Sequence, residues 1–324
     1  MTRRERTWGR AAALLAGLMA LLGCPNAGDQ RVLGVDATGI VNGVVFFDAN
    51  GSGQNDQGDV GFSGLTVRLI ARGTVDTVAS VTTNSSGVWR RADLPVGTYH
   101  VVVDTATAGD TVHVFPTDTL VTVPPYDSVL VSVGVAYPRV SIAALRSSAL
   151  GRRVFITGAV LVGPTVFGDT TMNLADTSGF IRATRVRIGT IVTGDSVRLL
   201  GTRATRDGQP VFDDVSGQRV GAAFIPTAAV VTTGDAASAI GGSLDAALVR
   251  VLNVTIADTA TVAGDYVLTV DDGSGSLSIV LDKEAALPLT PYVPGVAIDA
   301  TGLLVPSGGV WQLKPRASSD LVLR

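Results

Sequence analysis

Residues 43–69 read GVVFFDANGSGQNDQGDVGFSGLTVRL. Two apolar runs, Val44–Phe47 and Leu65–Ile70, flank a stretch with no apolar residue between Ala49 and Val60. β-Branched and aromatic side chains fill the runs, while Gly, Asn, Asp and Ser fill the gap, so the segment reads as strand, loop, strand. The pattern continues outward. Thr98–Val103, Ser128–Val133, Val154–Val160, Ser196–Leu200, Leu248–Ile256, Tyr266–Val270 and Leu277–Leu281 are short runs bounded by Gly, Asp, Asn and Pro. That is the spacing of sandwiches and barrels. Helical periodicity is confined to two short stretches, Ile142–Leu150 and Asp282–Ala286. The expected fold class is all-β.

Composition narrows the chemistry. Of 324 residues, 46% are hydrophobic and 16% charged, with a formal charge of −3. There is ample material for several cores, and no overall basic field that calls for nucleic acid. His100, His113 and Cys24 are the only residues of their types, which leaves neither a Cys/His zinc site nor an internal disulfide. Both histidines fall among alternating strand residues and read as strand surface. The adjacent pairs Asp213-Asp214 and Asp271-Asp272 point to opposite faces if they lie in strands, so neither pair shares a proton. No catalytic residues emerge, and the chain is expected not to be an enzyme.

Charge divides the chain beyond residue 37 into three segments. Residues 38–137 hold 4 Arg against 9 Asp; residues 138–222 hold 11 Arg against 6 Asp; residues 223–324 hold 3 Arg and 2 Lys against 9 Asp and 1 Glu. Their net charges are −5, +5 and −5. Each segment is read as one domain.

Residues 1–24, MTRRERTWGRAAALLAGLMALLGC, place four arginines ahead of an apolar run from Ala11 to Leu22. These are the basic and apolar regions of a secretory signal. The ending Leu21-Leu22-Gly23-Cys24 resembles the lipobox of bacterial lipoproteins. The resemblance implies acylation of Cys24, cleavage before it, and a membrane partner reached through the lipid, with residues 25–37 as a tether. The location implied is the bacterial cell envelope, at the outer membrane or cell surface.

In the loop 48–59, oxygen-bearing side chains fall at positions 1, 3, 5, 9 and 12: Asp48, Asn50, Ser52, Asp56 and Asp59. Gly53 occupies the sixth position, where a sharp turn is needed, and Gln54 offers a carbonyl at the seventh. This is the oxygen spacing of a calcium loop, with Asp in place of the final Glu. Calcium is the expected cofactor, because three carboxylates in twelve residues repel one another without a cation. The ordered series Gly43–Asp48, Gly61–Leu69, Thr82–Trp89, Leu94–Tyr99 and Val133–Tyr137 resembles the Sdr-type B-repeat family of bacterial surface proteins. That family implies a prealbumin-like sandwich of about seven strands, calcium at the matching loop, and a spacer role without catalysis. Some relatives close a Lys–Asn crosslink; residues 38–137 contain no lysine, so this segment cannot.

The remaining segments repeat a scheme. Asp176-Thr177-Ser178-Gly179 and Asp271-Asp272-Gly273-Ser274-Gly275 each sit at a hairpin turn, about 95 residues apart. Leu248–Ile256 and Trp311–Asp320 resemble the OB-fold modules of bacterial secreted nucleases and their non-catalytic surface relatives, implying two small OB-like barrels, 138–222 and 223–324. Arg182, Arg185 and Arg187 cluster in the first and are a possible ligand-binding patch. Stacking aromatics are few and the last segment is acidic, so nucleic acid is not the favoured partner. The function expected is a calcium-stabilised surface spacer or adhesion lipoprotein whose barrels face a surface protein or polysaccharide. The alternatives are an envelope-tethered binder of single-stranded nucleic acid or polysaccharide, and an accessory subunit of a separately encoded enzyme.

Overall fold

The computed structural model describes residues 37–108, 112–115 and 119–324. The signal-like segment and Cys24 lie outside the described residues. The described residues are almost entirely β. Its first part contains β1 (Thr38–Phe47), β2 (Val60–Gly61), β3 (Thr66–Ala71), β4 (Thr77–Thr82), β5 (Val88–Pro95), β6 (Gly97–Asp104), β7 (His113–Phe115), β8 (Thr119–Val123) and β9 (Ser128–Ala136). One sheet runs β2-β1-β9-β7, with β5 also pairing β1, and the other runs β4-β3-β6-β8. The resemblance implied about seven strands; the additions are the two-residue β2 and the three-residue β7.

Alternation decides which residues face inward. In β1, Val41 is fully buried between partly exposed neighbours, and Val45 is fully buried between the partly exposed Val44 and the buried Phe46. Val41 and Val45 meet Val67, Leu69, Tyr99, Val101 and Val133 from both sheets in one core. Gly43 lies on the same inward row because Trp89 crosses it: a Cβ there would stand 2.2 Å from the indole ring. The Tyr99 hydroxyl donates to the Pro95 carbonyl at 2.7 Å, and burial pushes its pKa up.

The second part contains α1 (Ile142–Ser147), β10 (Arg153–Val162), β11 (Met172–Asp176), β12 (Gly179–Thr184), β13 (Asp195–Arg206) and β14 (Gln209–Ala222). These strands close a barrel in the order β10-β11-β12-β14-β13, with β12 and β14 parallel. The third contains β15 (Ala229–Val230), α2 (Thr233–Gly242), β16 (Leu248–Val262), β17 (Asp265–Asp271), β18 (Leu277–Leu281), β19 (Ala297–Ser307), β20 (Val310–Lys314) and β21 (Leu321–Leu323). Here β16-β17-β18-β20-β19 repeats the order, β18 and β20 are parallel, and the β16–β19 pairing closes the circle. In both barrels, then, the third and fifth strands are the parallel pair.

Of the expected helices, Ile142–Leu150 is shorter, ending at Ser147, and Asp282–Ala286 is a single 3₁₀ turn over Lys283–Ala285. A third helix, α2, corrects the expectation of only two. Its sequence TGDAASAIGG has too few large apolar residues to show a helical stripe, and its last turn is left-handed at Ala239, Ile240 and Gly241.

What holds both helices is the repeated turn. Asp176 accepts from the Ile142 N–H at 2.8 Å, and Ser178 Oγ from the Ala143 N–H at 2.9 Å. In the second barrel Asp272 accepts from the Thr233 N–H at 3.0 Å, and Ser274 Oγ from the Gly234 N–H at 2.9 Å. Each Asp-x-Ser turn satisfies the free amides at the start of the helix that precedes its own barrel. Burial alone would raise the Asp272 carboxyl, but hydrogen bonds from Ser274 and Thr233 hold it well below the usual carboxylate range. Among the described residues no helix is long and apolar enough to cross a membrane.

Candidate metal loop and arginine cluster

Asp48 closes β1 with its N–H bonded to the Val135 carbonyl of β9 at 2.9 Å, and it is fully buried. Its two oxygens accept from the Ser52 N–H at 2.9 Å and the Gly53 N–H at 2.7 Å. Gly53 permits the turn at a φ of 81°. Asn50 Oδ1 accepts from the Ser52 N–H at 2.7 Å, and its Nδ2 donates to Asp56 at 3.0 Å. Ser52 Oγ donates to Asp56 at 2.9 Å and to the Gln54 carbonyl at 3.2 Å. Asp59 closes the loop by accepting from the N–H groups of Ala49 at 2.9 Å and Asp56 at 3.0 Å. The six positions read from spacing therefore form one connected network, in which Gln54 takes part through its backbone.

Their donor set is hard oxygen throughout, the chemistry of calcium rather than of a softer ion. The carboxylates are spread over different amides, and among the described residues no three His, Cys, Asp or Glu side chains gather closely enough to hold a metal by themselves. Any ion here needs the amide, hydroxyl and backbone oxygens as well.

Sequence reading missed a second feature of this loop: it is the joint to the first barrel. The Gly51 carbonyl accepts from Arg198 at 2.9 Å and from Arg139. A Cβ on Gly51 would lie 3.3 Å from the Phe155 ring. Phe155 packs with Ala136, Tyr137 and Leu200 across the same joint, and Tyr137 meets Phe47 edge-on at 5.5 Å. Burial, then the neighbouring Arg198, lowers the Arg139 pKa, and Asp48 partly offsets them. The arginine richness of residues 138–222 was legible; that two of those arginines bracket one glycine carbonyl was not.

The three arginines picked out as a possible ligand patch are each paired with a carboxylate. Arg182 is largely buried and donates to Asp207 at 3.2 Å. Arg185 donates from Nε to Asp213 at 2.9 Å, and Arg187 pairs with Asp214 at 2.7 Å. Burial acts to raise the Asp213 pKa, but Arg185 and Thr184 hold it below the ordinary range. The alternation expected at Asp213-Asp214 is broken, because Asp214 has a φ of 55°, and both carboxylates serve arginines of one segment. His100 is half-buried in β6 and His113 exposed in β7.

Residues 40–117 match the family model of the SdrD B-like domain, which makes this segment a module of the kind found in cell-surface proteins. Among curated proteins none matches the chain. Of the solved structures it resembles, GBS52, the minor pilin of Streptococcus agalactiae, is 16% identical at a TM-score of 0.25; the similarity covers 32% of this chain and 46% of the pilin. The Bacillus anthracis TIE protein is 11% identical at a TM-score of 0.25, covering 87% of this chain and 49% of that one. The Ifi202 HINa domain, solved with 20-base-pair double-stranded DNA, is 13% identical at a TM-score of 0.27, covering 54% of this chain and 97% of the domain. The chain thus spans less than half of the pilin.

Proposed function

We propose that this protein is a non-catalytic lipoprotein of the bacterial cell envelope, held by a lipid on Cys24, in which a calcium-stabilised sandwich spaces two OB-type barrels away from the membrane. The observation that carries the reading is the placement of the loop Asp48–Asp59 at the joint between sandwich and barrel, where Arg139 and Arg198 hold the Gly51 carbonyl. A loop ordered by an ion there stiffens two domains against each other, as a spacer requires. Asp48, Asn50, Ser52, Asp56, Asp59 and the Gln54 carbonyl would hold the ion, whose contribution is to neutralise the three carboxylates and fix the loop.

The test is a thermal melt of the full chain in detergent, with calcium and with chelator, beside the double variant Asp48→Ala/Asp56→Ala. Calcium is expected to raise the sandwich transition in the native chain and leave the variant unmoved. Coincident curves for the native chain would remove the metal. The nucleic-acid alternative fares worse: Arg182, Arg185 and Arg187 each already hold a carboxylate, so the excess of free cations that phosphate binding requires is missing at this patch.

A further inference from the structure

Strand direction gives the two poles of the sandwich different company. β1 starts at one pole and runs ten residues to the loop Asp48–Asp59 at the other. At its start Thr38 pairs with Pro95, where β5 ends, and Ile40 pairs with Ser128, where β9 begins. β8 ends at Val123 opposite Gly97, where β6 begins. β3 ends opposite Tyr99, and β4 returns beside it from Thr77. Three turns, 72–76, Val96 and 124–127, therefore gather at the pole where the described chain enters the fold. Two of them are bonded to the entering strand: the Ala37 carbonyl accepts from the Val96 N–H at 3.1 Å, and the Thr38 carbonyl from the Tyr126 N–H at 2.8 Å.

Turns are ordinarily built from small or polar residues. Each of these three holds a large apolar side chain in solvent: Val75 is 90% exposed, Val96 45% and Tyr126 80%. Single exposed apolar residues are normal, but one on every turn of a single pole marks a contact surface. The exposed charges nearest these turns are Arg72 against Asp76, Asp93 and Asp127, so the pole is mildly acidic.

We infer that this pole rests on the lipid surface, with Tyr126, Val96 and Val75 entering the headgroup region of a bilayer of zwitterionic lipids. The inference rests on the lipid-anchored reading. Cys24 lies thirteen residues before Ala37, a span that covalent geometry limits to about 45 Å. So short a tether keeps the pole at high local concentration over the bilayer, where a contact too weak to form from solution is occupied. Tyrosine suits that boundary, with an apolar ring and a hydroxyl that stays wet. Three carboxylates against one guanidinium disfavour an anionic surface and suit the ammonium and choline groups of neutral headgroups. The consequence is orientation. With this pole down, the loop Asp48–Asp59 stands roughly 30 Å higher, at the far end of β1, and the barrels joined there point away from the membrane.

The experiment expresses the full chain in bacteria and reads acylation of Cys24 from the mass of the purified protein. The protein is then reconstituted in vesicles of phosphatidylcholine and phosphatidylethanolamine, with or without acyl chains brominated near the headgroup. Tyr126→Trp and Val96→Trp place reporters at the pole; Ser85→Trp places one in the exposed β4–β5 turn at the opposite end. Trp89 and Trp311 are the background common to all of them. Every reporter stands in an exposed turn, where folding is not at stake. Emission of the two pole variants is expected to shift to the blue on reconstitution and to be quenched by the brominated chains, with Ser85→Trp unmoved. Adding Val75→Asp to Tyr126→Trp is expected to weaken that quenching, and exchanging phosphatidylethanolamine for phosphatidylglycerol to leave it no stronger. Acylated protein whose pole variants behave as Ser85→Trp overturns the inference and leaves the anchored reading standing, as does quenching that requires phosphatidylglycerol. A chain with Cys24 unmodified removes the anchored reading, and the inference with it.

Discussion

In the second barrel Asp299 is closed off from solvent and receives Arg250 at 2.8 Å, Arg324 and the Asn253 N–H at 2.8 Å. At the seam between the barrels Asp245 is equally closed off, with Arg146 at 3.0 Å as its ion-pair partner and Oδ1 unbonded. The two carboxylates respond oppositely. Hydrogen bonding from Arg324 outweighs burial at Asp299 and holds it well below the usual carboxylate range, whereas burial dominates at Asp245 and pushes it up. The arginines of Asp299 are themselves 39% and 50% exposed, while Arg146 is 21% exposed. A carboxylate is thus kept charged by the number of donors aimed at it, and burial by itself does not say which way it shifts.

The largest expected effect sharpens this contrast. Asp299→Ala removes the shared acceptor of two part-exposed arginines and the Asn253 N–H and is expected to cost about 1.5–3 kcal/mol, the usual loss for hydrogen bonds to a buried charged group. Chemical denaturation measures it, and a loss under ~1 kcal/mol would place Asp299 with ordinary surface pairs. The pH dependence follows from the signs. Asp299 is depressed on folding, so its stabilisation is complete above the unfolded value of about 3.9 and fades as pH falls below it. Asp245 is raised on folding, so its contribution is complete below that value and fades as pH rises through the folded pKa. Comparing each wild-type stability with that of Asp299→Asn and Asp245→Asn across pH should give opposite slopes; parallel slopes would break the comparison.

The two helix clamps carry the next effect. Asp176→Ala and Asp272→Ala each remove a carboxylate from a helix start and are expected to cost about 1 kcal/mol. Near-equal losses in denaturant would mark the turns as equivalent parts of a repeated plan. Arg185→Ala and Arg187→Ala come last, with little or no measurable loss, as for solvent-exposed pairs; a loss near that of Asp299→Ala would show that these pairs are not ordinary surface pairs.

Much of the architecture was legible from alternation. The runs Thr98–Val103, Ser128–Val133 and Leu277–Leu281 fall inside strands because each presents one apolar row to a core. β14 was harder, since QPVFDDVSGQRVGA mixes charge and glycine, and pairing with β12 and β13 makes it a strand. β19 likewise carries Gly302 and Pro306 yet pairs on both sides. The loop Asp48–Asp59 was visible because its ligand-type residues are close in sequence. The partners of Arg185 and Arg182 were not, lying 28 and 25 residues away.

By itself the sequence determined the all-β class, the position of the oxygen-rich loop and the repeated Asp-x-Ser turn, because each depends on residues near one another along the chain. Tertiary structure alone decided that the loop is a joint, that the turns cap helices 34 and 39 residues upstream, and that the turns holding Val75, Val96 and Tyr126 gather at the pole where β1 begins. Those outcomes depend on which strands pair and how the domains abut, and local spacing does not encode either.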